Sequence, residues 1–88
     1  MSWVLTFETE AKRELHRLDH AAQKRVVRYL ETRVLGGDPR CFGKPLRADL
    51  NGLWRWRVDD YRVIGQIRDG ELRILIVRVA HRSTVYDS

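Results

Sequence analysis

Residues 53–58 alternate apolar and cationic side chains in the order Leu-Trp-Arg-Trp-Arg-Val. Successive side chains of an extended strand point to opposite faces of a sheet. The two tryptophans and the valine would therefore bury one face, and Arg55 and Arg57 would lie side by side on the other. This segment predicts a half-buried strand with one aromatic and one cationic face.

A tight turn follows this strand and determines its pairing. Asp59-Asp60 has the character of a two-residue hairpin turn, after which residues 61–68 return as a second strand. In that register Arg57 pairs with Arg62, so Arg55, Arg57 and Arg62 cluster on one surface. Like charges opposite each other are unfavourable without an anion between them. The hairpin therefore predicts a phosphate-binding surface.

The first half of the chain predicts a strand followed by a helical hairpin. Residues 3–7 alternate as a short strand, and the acidic residues 8 and 10 suit the start of a helix. Asp19 fits the N-cap of a second helix, on which Val26, Leu30 and Val34 recur at i, i+4 and i+8. The Gly-Gly-Asp-Pro sequence at 36–39 predicts the end of that helix.

The second half predicts a meander of three strands. Residues 38–52, which include Lys44 and Arg47, have no clear period and are predicted as a loop. Strands are expected at about 53–58, 61–68 and 71–80, the last two joined by a hairpin at Asp69-Gly70. The last strand is apolar on both faces, which predicts an interior position beside the first strand. The expected fold is α+β, a single domain spanning residues 1–88, with two helices on one face of a four-stranded, mainly antiparallel sheet.

The charge of the chain favours a polyanionic partner. Its 88 residues carry a formal net charge of +5 and have a pI of about 10.0, and 14 of the 17 basic residues are Arg. The Arg guanidinium presents a planar fork of donors that suits phosphate, although such a charge also serves surface solubility.

The single cysteine, Cys41, excludes an internal disulfide and a thiolate metal cluster. No apolar run is long enough for a signal peptide or membrane span, so a cytosolic protein without membrane contact is expected.

The residues after the last strand complete a candidate site. The segment that contains His81, Arg82 and Tyr86 can fold back over the arginine face. Without a carboxylate cluster or paired histidines, metal-dependent nuclease chemistry is disfavoured, and no cofactor is expected. Metal-free RNA cleavage needs cations around the phosphate, a base for the 2′-hydroxyl and an acid for the 5′ oxygen. Histidine, whose ordinary pKa is about 6.5, suits either proton transfer, and Tyr86 can stack, orient the nucleophile or transfer a proton.

Non-catalytic interpretations of the same residues stay open. An arginine strand face is often solvated or paired with carboxylates, and Asp59 and Asp60 adjoin this one. The tryptophans are more simply core residues than base-stacking ones, because their parity matches that of Val58. Tyr86 can equally be a packing residue near a chain end.

The order and spacing of these motifs resemble the RelE/ParE superfamily of bacterial toxins, on the RelE side. The resemblance rests on residues 52–58 (GLWRWRV), 60–64 (DYRVI), 81–82 with 85–86, and the upstream 44–47 (KPLR), and it covers nearly the whole chain. It implies a toxin of a type II toxin–antitoxin module that enters the ribosomal A site and cuts messenger RNA there without a metal. Its implied partners are a cognate antitoxin, RelB-like or other, and the 70S ribosome with mRNA.

The resemblance also implies roles for individual residues. Arg55 and Arg57 match two strand cations that are lysines in the best-known RelE, and Arg62, Arg82 and Tyr86 match its remaining phosphate-binding and nucleotide-orienting residues. Lys44 and Arg47 are expected to add phosphate contacts. The spacing of Arg82 and Tyr86 is shorter than in the best-known RelE, and arginine cannot take over a lysine-type base role. Our hypothesis is therefore that His81 transfers the proton while the arginines clamp the phosphate.

Two other functions fit the same fold. A ParE-like protein would inhibit DNA gyrase and lack RNase activity, whereas a non-catalytic module would bind RNA in a salt-dependent manner without cutting it. The ParE branch generally lacks the complete set of cations with a tyrosine. The RelE-like endoribonuclease is therefore the function that the sequence favours.

Overall fold

The computed structural model describes residues 3–46 and 52–81. Strand β1 (Val4–Phe7) is followed by helix α1 (Thr9–Arg17) and helix α2 (His20–Tyr29), which continues as a π-helical segment (Leu30–Leu35). Four strands complete the described chain, namely β2 (Gly43–Pro45), β3 (Leu53–Val58), β4 (Tyr61–Arg68) and β5 (Arg73–His81). The α+β class and the order of strand, helical hairpin and meander are confirmed.

The strands form one mixed sheet in the order β1-β5-β4-β3-β2. Strand β1 pairs in parallel with β5, and the other neighbours are antiparallel. The interior position of the last strand beside the first is therefore confirmed. The prediction of four strands is wrong, because β2 forms a fifth within the segment predicted as a loop. Three residues are too few to show a period, and both Gly and Pro are disfavoured in strands, although Pro is tolerated at a sheet edge such as this one.

The apolar faces of the helices and of the sheet meet in one core. Val26, Leu30 and Val34 are fully buried, which confirms the predicted stripe, and they share a cluster with the fully buried Trp56. Asp19 caps α2, since its Oδ1 accepts a 2.7 Å hydrogen bond from the Ala22 N–H. No helix within residues 3–46 and 52–81 is both long and apolar enough to cross a membrane. The helices thus cover the tryptophan face of the sheet and leave the arginine face uncovered by them.

The two turns of the meander differ from each other. The Asp59-Asp60 turn produces the predicted register, with Arg57 opposite Arg62, and Asp59 takes the positive φ of 53° that aspartate tolerates in tight turns. The second turn is longer than the predicted hairpin: Asp69–Glu71 form a 3₁₀ turn that Leu72 closes with a φ of 50°. The last strand therefore begins at residue 73 instead of 71.

Candidate functional site

The face of the sheet opposite the helices gathers four cationic residues from three neighbouring strands. Arg57 of β3 lies directly opposite Arg62 of β4, and Arg55 of β3 lies opposite Lys44 of β2. Paired residues share a face, as do residues two apart on one strand. Lys44, Arg55, Arg57 and Arg62 are therefore brought together, as the sequence predicted for the arginines, while the neighbouring Trp56 points into the core.

These cations surround a shallow depression of about 160 Å³. Its lining residues are Phe42, Lys44, Arg55, Arg57 and Arg62, and none of the described residues that line it is acidic. Arg57 and Lys44 are exposed, whereas Arg55 and Arg62 are half-buried. The Arg62 Nε atom is shielded from solvent, so part of this charge lies where an anion interacts with it more strongly than in open water.

Mutual repulsion makes this depression suited to an anion. Side chains paired across strands have Cβ atoms about 5 Å apart, and like charges placed directly opposite each other are unfavourable. Asp59 does not offset this charge at the arginine face, because its Oδ2 pairs with Arg25 Nε of α2 at 2.6 Å. A phosphate between the guanidiniums replaces repulsion with charge-assisted hydrogen bonds.

A larger depression, of about 720 Å³, lies along the outer side of α2. Its lining includes the acidic Glu31 among basic residues, and it is not on the arginine face. Because its charges are mixed, we regard the smaller depression as the candidate site.

Trp56, which the alternation of β3 places in the core, anchors the loop that precedes β2. The Trp56 Nε1–H donates a buried 2.9 Å hydrogen bond to the Pro39 carbonyl. Gly43 lies so close to the indole that a Cβ at this position would be 2.6 Å from Trp56 Nε1. This packing brings Lys44 into register and places Phe42 on the rim of the depression. Sequence reasoning missed Phe42; the signals were a large aromatic residue in an aperiodic segment and a core indole N–H that requires an acceptor.

His81 lies on the other face of the sheet. It pairs with Tyr61, and their rings meet edge to face with centroids 5.5 Å apart and an interplanar angle of 87°. Tyr61 in turn pairs with Val58 on the helix side, while Arg62 pairs with Ala80 on the arginine side. The expectation that His81 joins the arginine face is therefore wrong, because the side-chain parity of β5 turns it away. Its role in proton transfer stays a prediction.

Three predicted site residues lie outside the described residues. They are Arg47, Arg82 and Tyr86, and their predicted roles stay predictions.

Comparison with known proteins relates the chain to bacterial toxins. The family described as "ParE toxin of type II toxin-antitoxin system, parDE" matches residues 5–86. The chain is 35% identical to Toxin RelG of Mycobacterium tuberculosis over 98% of either chain. It is 41% identical to Toxin RelE of the same organism, over 86% of this chain and 77% of the relative.

Solved structures agree with this relationship. A chain from the toxin–antitoxin complex RelBE2 of M. tuberculosis superposes with a TM-score of 0.84 at 33% identity, covering 93% of this chain and 100% of the other. The isolated RelE toxin of E. coli superposes with a TM-score of 0.75 at 20% identity, covering 90% of this chain and 83% of the other. The second likeness concerns the fold alone.

Proposed function

The chain belongs to the RelE/ParE superfamily of type II toxins as a RelE-like member, and we propose that it is a metal-free endoribonuclease that cuts messenger RNA in the ribosomal A site. The observation that carries this proposal is the depression lined by Lys44, Arg55, Arg57 and Arg62. Four cations on rigid strands suit one phosphodiester whose charge increases during reaction. A cluster built for general RNA binding would instead spread its cations along several phosphates.

The cleavage chemistry follows from this charge. The 2′-oxygen forms a bond to the adjacent phosphorus while the bond to the 5′-oxygen breaks, leaving a 2′,3′-cyclic phosphate and a 5′-hydroxyl. Negative charge builds on the phosphoryl oxygens between these events. Arg55, Arg57 and Arg62 are positioned to stabilise it, and removing one such group commonly lowers the rate about 10²–10³-fold.

Proton transfer must come from a group other than these arginines, because a guanidinium does not give up its proton near neutral pH. His81 and Tyr86 are the residues that the sequence predicts for this role. If His81 takes the 2′ proton, His81→Ala abolishes cleavage and Tyr86→Phe leaves part of it. Because the register turns His81 away from the depression, the opposite result would assign proton transfer to Tyr86.

A cognate antitoxin is the expected protein partner. The structural relatives include RelB–RelE complexes from M. tuberculosis, E. coli and Pyrococcus horikoshii. A segment of an antitoxin that placed carboxylates in the depression would neutralise its charge and exclude RNA. We therefore propose that the chain is held inactive in such a complex.

The test is a reconstituted translation reaction in which messenger RNA cuts are mapped by primer extension. The wild-type chain should produce cuts at A-site codons, and the cuts should persist when EDTA, added below the magnesium concentration, removes transition-metal ions. Arg57→Ala should lower the cleavage rate about 10²–10³-fold. Arg13→Ala is the matched control, because this exposed arginine of α1 pairs with Glu10 of its own helix. Equal rates for the two variants would contradict the proposed site.

Inhibition of DNA gyrase is the second candidate function, because the matching family is described as ParE toxin. A supercoiling assay run beside the translation reaction distinguishes the two functions. Gyrase inhibition without mRNA cuts would support the ParE-like function. RNA binding with neither activity would support a non-catalytic module.

A further inference from the structure

Phe42 is an exposed aromatic residue beside the cationic depression. Its relative exposure is 45%, and it and Val4 are the two large apolar residues classed as exposed within residues 3–46 and 52–81. A single exposed apolar side chain is ordinary by itself. Phe42 differs in its location, because it lines the same depression as Lys44, Arg55, Arg57 and Arg62.

The backbone on either side of Phe42 is held by the core, and its ring contacts Arg33. The preceding loop is tied to the core by the bond from Trp56 Nε1–H to the Pro39 carbonyl. The following residue, Gly43, packs against the same indole. The Arg33 guanidinium lies over the ring, with its Cζ 5.6 Å from the centroid, in a cation–π arrangement. An aromatic ring held in this way loses little conformational entropy when a flat ligand stacks on it.

An aromatic surface next to a cationic groove is the combination that binds single-stranded nucleic acid, because the cations bind phosphate and the ring stacks on a base. We propose that Phe42 is a stacking platform for a nucleobase adjoining the phosphate held in the depression, an inference that rests on the proposed function. Arg33 supports the ring from one side, and the base would occupy the other. Phe42 is then a substrate-positioning residue that limits where the RNA backbone enters the clamp.

An apolar contact with a protein partner is the competing interpretation of an exposed phenylalanine. The surrounding charge favours RNA, since the four cationic neighbours suit the phosphate that adjoins a stacked base. The two interpretations differ in one measurable respect. Stacking requires that a base be present at one position of the RNA, whereas a contact with a protein partner does not.

The experiment measures binding of the full chain to a short single-stranded oligoribonucleotide at low salt. Every ribose carries a 2′-O-methyl group, which removes the nucleophile, and one position at a time is made abasic. The wild-type chain should lose about tenfold in affinity at one position of this scan. Phe42→Ala should lose about tenfold on the intact RNA and nothing further at that position. Phe42→Trp should restore both the affinity and the positional loss.

Two further variants make the result specific to the ring. Phe42→Leu keeps an apolar side chain without an aromatic face, so it should behave like Phe42→Ala. Val4→Ala removes the other exposed apolar residue and should bind like the wild type. Circular dichroism melts of each variant test whether the fold is kept.

Several outcomes would overturn the platform. One is a Phe42→Ala or Phe42→Leu variant with wild-type affinity, as expected if Phe42 contacts a protein partner. Another is a positional loss that persists in Phe42→Ala, which would mean that the base binds a different residue. A wild-type chain that binds none of the oligonucleotides would do the same. Cleavage on the ribosome is scored separately. If A-site cuts occur but the loss at one abasic position does not depend on Phe42, the platform alone is refuted. If that loss depends on Phe42 but no cuts occur, the proposed cleavage alone is refuted.

Discussion

Replacing Trp56 with Phe should destabilise the protein chiefly through one hydrogen bond. The indole is fully buried, and its N–H donates to the buried Pro39 carbonyl at 2.9 Å. Phenylalanine keeps an apolar ring in the core but leaves that carbonyl without this donor, which costs about 1–3 kcal/mol. The smaller ring removes apolar contact worth roughly 1 kcal/mol more. The expected loss is about 2–4 kcal/mol, a large part of the roughly 5–15 kcal/mol that stabilises a typical domain.

The assay is urea unfolding followed by far-UV circular dichroism, which does not depend on tryptophan fluorescence. Trp54→Phe is the matched control, because Trp54 is only half-buried and contacts the Arg40 guanidinium, whose Cζ is 5.7 Å from the ring centroid. Its loss should stay below about 1 kcal/mol. Equal losses for the two variants, or a loss below about 0.5 kcal/mol for Trp56→Phe, would refute the anchoring of the loop by this bond.

Two further predictions concern the same region. Gly43→Ala would place a Cβ 2.6 Å from the indole nitrogen and 3.1 Å from the Arg55 carbonyl oxygen. We therefore expect the free energy of unfolding in urea to fall by about 1–3 kcal/mol and RNA binding to weaken. Gly70→Ala is the control and should retain RNA affinity, because a Cβ there would have nothing within 4 Å. The hydrogen bonds from Arg40 hold the pKa of Asp69 below its ordinary range. Their contribution to stability is therefore present above the ordinary pKa of about 3.9. It is lost as the pH falls through the lower pKa that Asp69 has in the folded protein. Asp69→Asn should therefore lower the urea midpoint at pH 7 and approach the wild type in strong acid; a difference that persists in acid would contradict the ion pair as its cause.

The hairpin between β3 and β4 could be predicted in detail because its determinants are local. Period-two alternation specifies which side chains share a face, and the two-residue turn specifies the register that pairs Arg57 with Arg62. The capping of α2 by Asp19 and its apolar stripe are equally local, since both depend on residues within a few turns of the same helix. These parts of the fold agree with the sequence almost residue for residue.

The fifth strand and the rim of the site could not be predicted in this way. Strand β2 exists because β3 offers it a pairing edge and Trp56 holds the preceding loop, and both partners are distant in sequence from Lys44. Phe42 becomes part of the candidate site only through that docking. The late start of β5 also depends on a 3₁₀ turn, which Asp69-Gly70 did not distinguish from a tight hairpin.

Local pattern therefore determined that this chain forms a strand with a buried aromatic face and a clustered cationic face, since alternation and turn chemistry act over a few residues. Tertiary packing decided what surrounds the arginines. It added Lys44 and Phe42 through an edge strand, directed Asp59 towards α2, and left His81 on the opposite face. Such choices depend on contacts between residues far apart in the chain, whose free energies no single segment encodes.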